Sequence, residues 1–128
     1  MQARGAFVSF NFQQFYFSVQ GRVSRKQWWL RLILPILVIT SVLAFVDRVI
    51  GTYDPDIGGG ILSGLFALIS LIPAILVHIK RWHDRDKSGW WMLIALVPII
   101  GSIWFLIELG FLAGTAGPNR FGPPPTDA

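Results

Sequence analysis

The chain has 128 residues, of which 53% are hydrophobic and 14% charged, and its mean hydropathy is +0.56. That composition excludes a disordered chain and argues against a soluble enzyme, because a soluble domain this short could not hide so much apolar surface. The formal charge of +4 raises nucleic acid as a partner, but the basic residues sit in two blocks that each abut an apolar run, which fits a membrane surface and not a duplex. No cysteine is present, so disulfides, iron–sulfur clusters and thiolate zinc sites are excluded.

The expected fold is all-α: a single membrane domain, 1–128, with an N-terminal interfacial segment over 1–24, three transmembrane helices at about 28–50, 61–79 and 90–112, and a Pro/Gly-rich tail over 113–128. The first segment carries Phe7, Phe10, Phe12, Phe15, Tyr16 and Phe17 among amides. It is too short and polar to cross, so it lies along the inner interface, as an amphipathic helix or partly extended, since Phe10, Phe12 and then Phe15, Phe17 alternate locally as a strand would. Gly21 breaks that segment from the span. Ser24-Arg25-Lys26-Gln27 is a capping-box pattern, which starts the first span near Arg25.

The first run has an uncharged interior from Leu32 to Val46, about 22 Å of helix, and needs its flanks to cover a hydrocarbon core of about 30 Å. A cleaved signal peptide is a poor alternative, because no small-residue cleavage site follows the run. The second, Ile61 to Ile79, spans unaided. The third is uncharged from Trp90 through Ile107, about 27 Å, and then meets Glu108. Pro35, Pro73 and Pro98 fall inside the runs, where a membrane bundle tolerates kinks. Trp28-Trp29, Pro35 and Asp47 parallel Trp90-Trp91, Pro98 and Glu108, a likeness that two spans obeying the same interface rules would produce.

Loop charge sets the expected orientation. Nine basic residues lie before the first span or between the second and third, against two, Arg48 and Arg120, on the other side. The positive-inside rule then puts the N-terminus in the cytoplasm and the tail outside. Trp28, Trp29, Trp82, Trp90 and Trp91 become anchors at the cytoplasmic interface, while Asp47, Arg48, Glu108, Asn119 and Arg120 become polar contacts at the outer side.

The densest functional chemistry is the connection from Arg81 to Trp91. Gly89 can supply unusual dihedrals, Ser88 can cap the third helix, and Asp84 can pair with Arg81 or with an arginine of Gly21-Arg22-Val23-Ser24-Arg25. One reading is a salt-bridged hairpin anchored at the headgroups. The other is a cationic pocket of Arg22, Arg25, Arg81 and Arg85, with His83 and Asp84, for an anionic lipid headgroup or an acidic partner segment. His83 beside Asp84 lacks a nucleophile with its own supporting pattern, and His78 lies five residues away on another helix face, so no catalytic residue, cofactor or metal site is expected. Asp47 and Glu108 are candidate intramembrane carboxylates at similar depth near the outer ends. Gly58-Gly59-Gly60 lacks the lysine of a phosphate loop and reads as a flexible lead into the second span.

In order, Gly21-Arg22-Val23-Ser24-Arg25-Lys26-Gln27-Trp28-Trp29, Arg81-Trp82-His83-Asp84, Ser88-Gly89-Trp90-Trp91, Val97-Pro98-Ile99-Ile100-Gly101 and Asn119-Arg120-Phe121-Gly122-Pro123 resemble the landmarks of a bacterial inner-membrane family catalogued as domain of unknown function 805. The sequence departs from that pattern at Trp82, where leucine is common, at Gln27, where an acid is common, and at Pro124, where aspartate often stands. The resemblance implies a small multi-spanning membrane protein and carries no activity with it. The residues themselves point to a non-enzymatic protein that acts by interaction, as a scaffold or accessory subunit or by self-association, with Ser63, Gly64, Ala67 and Ser70 forming a small-residue packing face on the second span. The alternatives are an oligomeric transporter or channel component lined by Asp47 or Glu108, and a protein that binds anionic lipid.

Overall fold

A computed structural model describes residues 10–125; Arg4, Phe7 and the last residues of the tail, Asp127 among them, lie outside the described residues. It contains four helices and a 3-10 segment, with no strand among the described residues. Helix α1 is Phe12–Tyr16, capped by Asn11, whose side chain accepts from the Gln14 amide at 3.0 Å. The aromatic segment is therefore helical where its local alternation left an extended form open. Phe15 turns inward and is buried, while Phe12 and Phe17 stay exposed.

Helix α2, Arg25–Ile50, begins with the full capping box: Ser24 Oγ accepts from Gln27 N and Gln27 Oε1 accepts from Ser24 N, each at 3.0 Å. Its register loosens to a π turn over Trp29–Ile33, directly before Pro35. Pro35 has no N–H to offer the Arg31 carbonyl four residues earlier, and the Tyr16 hydroxyl supplies the missing donor at 2.5 Å. Burial raises the Tyr16 hydroxyl above its ordinary pKa, with Arg31 opposing, so it remains a donor.

Helix α3, Ile61–Asp84, runs back antiparallel to α2 and is fixed to it by Asp47. The Asp47 carboxylate accepts from Thr52 Oγ1 at 2.7 Å, the Leu62 and Ser63 amides at 3.0 Å each, and Ser63 Oγ at 2.9 Å. An acid at the end of one helix thus caps the start of the next, where free amides and the helix dipole favour negative charge. Arg48 stacks over the Tyr53 ring at 3.9 Å and does not pair with Asp47.

The third apolar run departs from expectation. It is not one helix but a hairpin: a 3-10 segment, Gly89–Leu96, a turn at Val97-Pro98-Ile99, and helix α4, Ile100–Phe111, whose last turn is π. Ile99 has φ +65° and ψ −66°, and the Ile100 amide bonds the Pro98 carbonyl at 2.6 Å, a γ-turn of the rare positive-φ kind that a β-branched residue adopts only under strain. The arms pair antiparallel about this turn: Gly101 lies against the Ile94 carbonyl, leaving no room for a Cβ, Trp104 stacks with Trp91, and Glu108 meets Lys87. Both ends of the run therefore lie at the Arg22 end of the bundle. Glu108 is not level with Asp47, and the tail is not at the opposite end from Arg81. Gly89 is needed for close approach to Ile79 and not for an unusual dihedral, and Ser88 makes no side-chain cap.

The buried core is small and sits at this same end, built from Phe15, Val23, Trp28, Leu32, Val77, Trp82 and Leu109. Away from it the long helices are coated with exposed leucine, isoleucine and valine, and so is the hairpin tip, with Leu96 and Ile99 each 76% exposed.

Candidate functional site

The polar centre of the molecule is Asp84, the last residue of α3. Its Oδ1 accepts from Arg22 Nε at 2.9 Å and its Oδ2 from Arg81 Nη1 at 2.8 Å, and all three side chains are almost fully buried. Arg22 lies just before the α2 cap, where its backbone is held by the Val23 amide bonding the Lys80 carbonyl at 3.1 Å. Every N–H of the Arg22 guanidinium is engaged: besides Asp84, it donates to the carbonyls of Gly117 at 2.7 Å, Gly122 at 3.2 Å and Thr115 at 2.5 Å.

Around this centre the cations close the C-terminal end of the hairpin. A helix ends with unpaired carbonyls and a negative dipole pole, and α4 has no following turn to satisfy them. Arg81 donates to the carbonyls of Leu109 at 2.8 Å and Leu112 at 2.6 Å, Arg25 to that of Phe111 at 2.7 Å, and Trp29 Nε1 to that of Gly110 at 2.7 Å. Arg85 donates to Glu108 and to the Ala113 carbonyl, each at 2.5 Å, and Lys87 donates to Glu108 at 2.9 Å, so the acid at the hairpin's end is neutralised from its beginning. Lys80, buried in α3, donates to the Gln14 carbonyl at 2.7 Å and to that of Phe15, tying α1 to the bundle.

The tail then wraps this network. The Thr115 amide bonds the Asp84 carbonyl at 2.7 Å, and Gly114 passes so close that a Cβ there would overlap the Asp84 carboxylate. Asn119 Nδ2 donates to the His83 carbonyl at 2.9 Å, Arg120 pairs with Asp86 at 3.2 Å, and the Phe121 ring lies flat on the His83 imidazole, 3.9 Å between centroids and 2° from parallel. Asn119 and Arg120 are thus contacts of the α3–hairpin connection, at the opposite end of α3 from Asp47.

Family comparison places this geometry. Residues 16–123 match the family described as a protein of unknown function, DUF805. The chain belongs to this family. It is 38% identical over 110 residues to the inner membrane protein YhaH of Escherichia coli K12, covering 86% of this chain and 88% of that one. It is 32% identical over 111 residues to the inner membrane protein YhaI of the same strain, covering 86% and 87%. The uncharacterized protein YiiR of that strain is 29% identical over 135 residues, with 86% and 87% covered. No solved structure matches the chain. The protein is accordingly an inner-membrane protein of a family without an assigned activity, with two helices, of 26 and 24 residues, long and apolar enough to cross.

Four of the five landmark segments of this DUF805 member are now joined in space, and the fifth, Val97-Pro98-Ile99-Ile100-Gly101, forms the hairpin tip. Arg22, Arg25, Arg81, Asp84 and Arg85 form one network, but their donors face the protein's own carboxylates and carbonyls. His83 does not bond Asp84; its Nδ1 lies 3.1 Å from the Gly21 carbonyl. The five tryptophans divide: Trp28 and Trp82 are core residues, Trp28 donating to His78 Nδ1 at 3.0 Å, while Trp90 and Trp91 are exposed and only Trp29 keeps an intermediate position. Lys80, Tyr16 and Gly114 escaped the sequence reading, although Pro35 had already announced an unpaired carbonyl that some donor had to meet.

Proposed function

We propose that this protein works by association in the membrane, as a scaffold or accessory subunit or with its own copies, and that the Asp84 network is the lock that holds its association surface in shape. The surface is the hairpin. Its 3-10 arm of eight residues reaches about 16 Å at roughly 2 Å per residue, half of a hydrocarbon core of about 30 Å, so it enters the bilayer and returns without crossing. The observation that carries the reading is the turn at Val97-Pro98-Ile99, irregular backbone flanked by exposed Leu96 and Ile99. Irregular backbone at membrane depth is tolerated where protein or an aqueous cavity covers it, not where lipid does.

In this reading α2 and α3 cross the membrane, and the segment before α2 shares a face with the tail after α4. Nine of the ten Lys and Arg among the described residues then belong to that face and only Arg48 to the other, which makes it the cytoplasmic one. A transport path through Asp47 would first have to break the four hydrogen bonds that fill its carboxylate. A photo-crosslinking side chain placed at Ile99 in the intact membrane is expected to capture protein, either another copy or a second subunit. Adducts with lipid alone would refute the association reading.

A further inference from the structure

The two arms of the hairpin present opposite shapes. A 3-10 helix repeats every three residues, so side chains three apart eclipse one another. Trp90, Leu93 and Leu96 therefore stand in one straight ridge along the Gly89–Leu96 arm, about 12 Å long at roughly 2 Å per residue, and all three are exposed. On the other arm, Ile100, Ile103, Trp104, Ile107 and Glu108 line an open cavity of about 390 Å³. From Ile100 to Ile107 this slot follows α4 for about 10 Å. A whole helix about 10 Å across would need roughly 800 Å³ over that length, so the slot admits a row of side chains and not a helix.

Ridge and slot also lie at one depth. The arms are level at Ile94 with Gly101, Trp91 with Trp104 and Lys87 with Glu108. On that scale Leu93 is level with Ser102 and Ile103, and Leu96 with Ile99 and Ile100. Two copies inserted in the same orientation form a closed pair about a two-fold axis along the membrane normal, which sets equal depths opposite one another and makes each surface meet its own complement. In lipid, apolar area by itself drives no association, because acyl chains are as apolar as leucine; close packing does, and a ridge seated in a slot supplies it. The ridge and the apolar residues of the slot are seven large side chains. At roughly 100 Å² each they would bury about 1,400 Å² across two copies, within the range of about 1,200–2,000 Å² of a stable interface.

We propose that the hairpin pairs with the hairpin of a second copy of this chain, the Trp90-Leu93-Leu96 ridge of each entering the Ile100–Ile107 slot of the other. The paired arms then flank Val97-Pro98-Ile99 with protein, which irregular backbone at membrane depth requires. This pairing rests on the association reading and narrows its partner to the chain itself.

The test is disulfide trapping in the native membrane. The chain has no cysteine, so two differently tagged copies can be co-produced with one introduced cysteine each. Leu93→Cys with Ile103→Cys, and Leu96→Cys with Ile100→Cys, are expected to give mixed-tag disulfides about ten-fold or more above Leu68→Cys pairs on the exposed face of α3, because pairing raises the effective concentration of the two thiols. Leu96→Cys with Ile107→Cys, offset by roughly 10 Å in depth, should stay at the Leu68→Cys level. All these positions are exposed, so the substitutions leave the buried core intact. Level-matched pairs that trap no better than Leu68→Cys overturn the self-pairing, and so does equal trapping of level and offset pairs. If a crosslinker at Ile99 then captures a different protein, association stands and only its partner changes, whereas lipid adducts alone at Ile99 remove both.

Discussion

Replacing Asp84 with asparagine would test the lock most directly. The substitution keeps size and shape but removes the one carboxylate that two buried guanidiniums share, Arg22 and Arg81, whose side chains are 1% and 0% exposed. Removing one partner of a buried ion pair costs about 3–5 kcal/mol, because the remaining charge is left uncompensated, and here two charges are left. Asp86→Asn supplies the contrast: its pair with Arg120 at 3.2 Å is largely exposed, and such pairs contribute about 0–1 kcal/mol. Unfolding of both variants would be followed in mild detergent, together with hydrogen exchange at the Thr115 amide, which bonds the Asp84 carbonyl. Asp84→Asn should lose several kcal/mol and expose that amide, since Arg22 also positions the tail carbonyls of Thr115, Gly117 and Gly122. If the two variants are equally stable and Thr115 stays protected, the carboxylate does not organise this end of the molecule.

Two further substitutions probe backbone and core accounting. Tyr16→Phe removes the hydroxyl that serves the Arg31 carbonyl beneath Pro35, and an unsatisfied carbonyl there should cost about 1–3 kcal/mol in detergent unfolding; no change would mean another donor takes its place. Trp82 is fully buried and its indole N–H has no acceptor among the described residues, whereas that of Trp28 bonds His78. Trp82→Phe should therefore be less destabilising than Trp28→Phe by about 1–2 kcal/mol, although both remove the same volume, and the reverse order would indicate an undetected partner for Trp82.

Much of this was written locally in the chain. Ser24 and Gln27 announced the start of α2 at Arg25, since a capping box is a contact between residues three apart. The pairing of Asp84 with Arg81 and with an arginine of the 21–25 segment was likewise foreseeable, because an acid flanked by guanidiniums has few other ways to be buried. What was not legible depended on distance in sequence. Lys80 reaches carbonyls of α1, and Arg22 reaches the tail, about a hundred residues on. The hairpin was misread because eighteen uncharged residues satisfy a length criterion equally well straight or folded, and a central proline is compatible with either. The distinguishing signal lay at the ends: Arg85 and Lys87 before the run, Glu108 after it, a complementary set that only a reversal brings together.

That signal reflects how a chain like this specifies its shape. In lipid, apolar contact between helices competes with equally apolar acyl chains, so burial of leucine and isoleucine does not by itself decide which elements are neighbours. The polar bonds decide it. Each of the three acids buried among the described residues joins segments that the apolar pattern leaves unassigned: Asp47 ties the end of α2 to the start of α3, Asp84 ties α3 to the Arg22 segment and so to the tail, and Glu108 ties the hairpin's return to its outset. The exposed acids Asp54 and Asp86 bond only loop neighbours or a surface arginine. A buried carboxylate is costly unless every lone pair is met, which makes each of these junctions intolerant of a shifted register. The charged residues that looked like an orientation signal are therefore also the joints of the fold, and substitutions at Asp47, Asp84 or Glu108 should alter its connectivity in space before they alter any surface the protein presents.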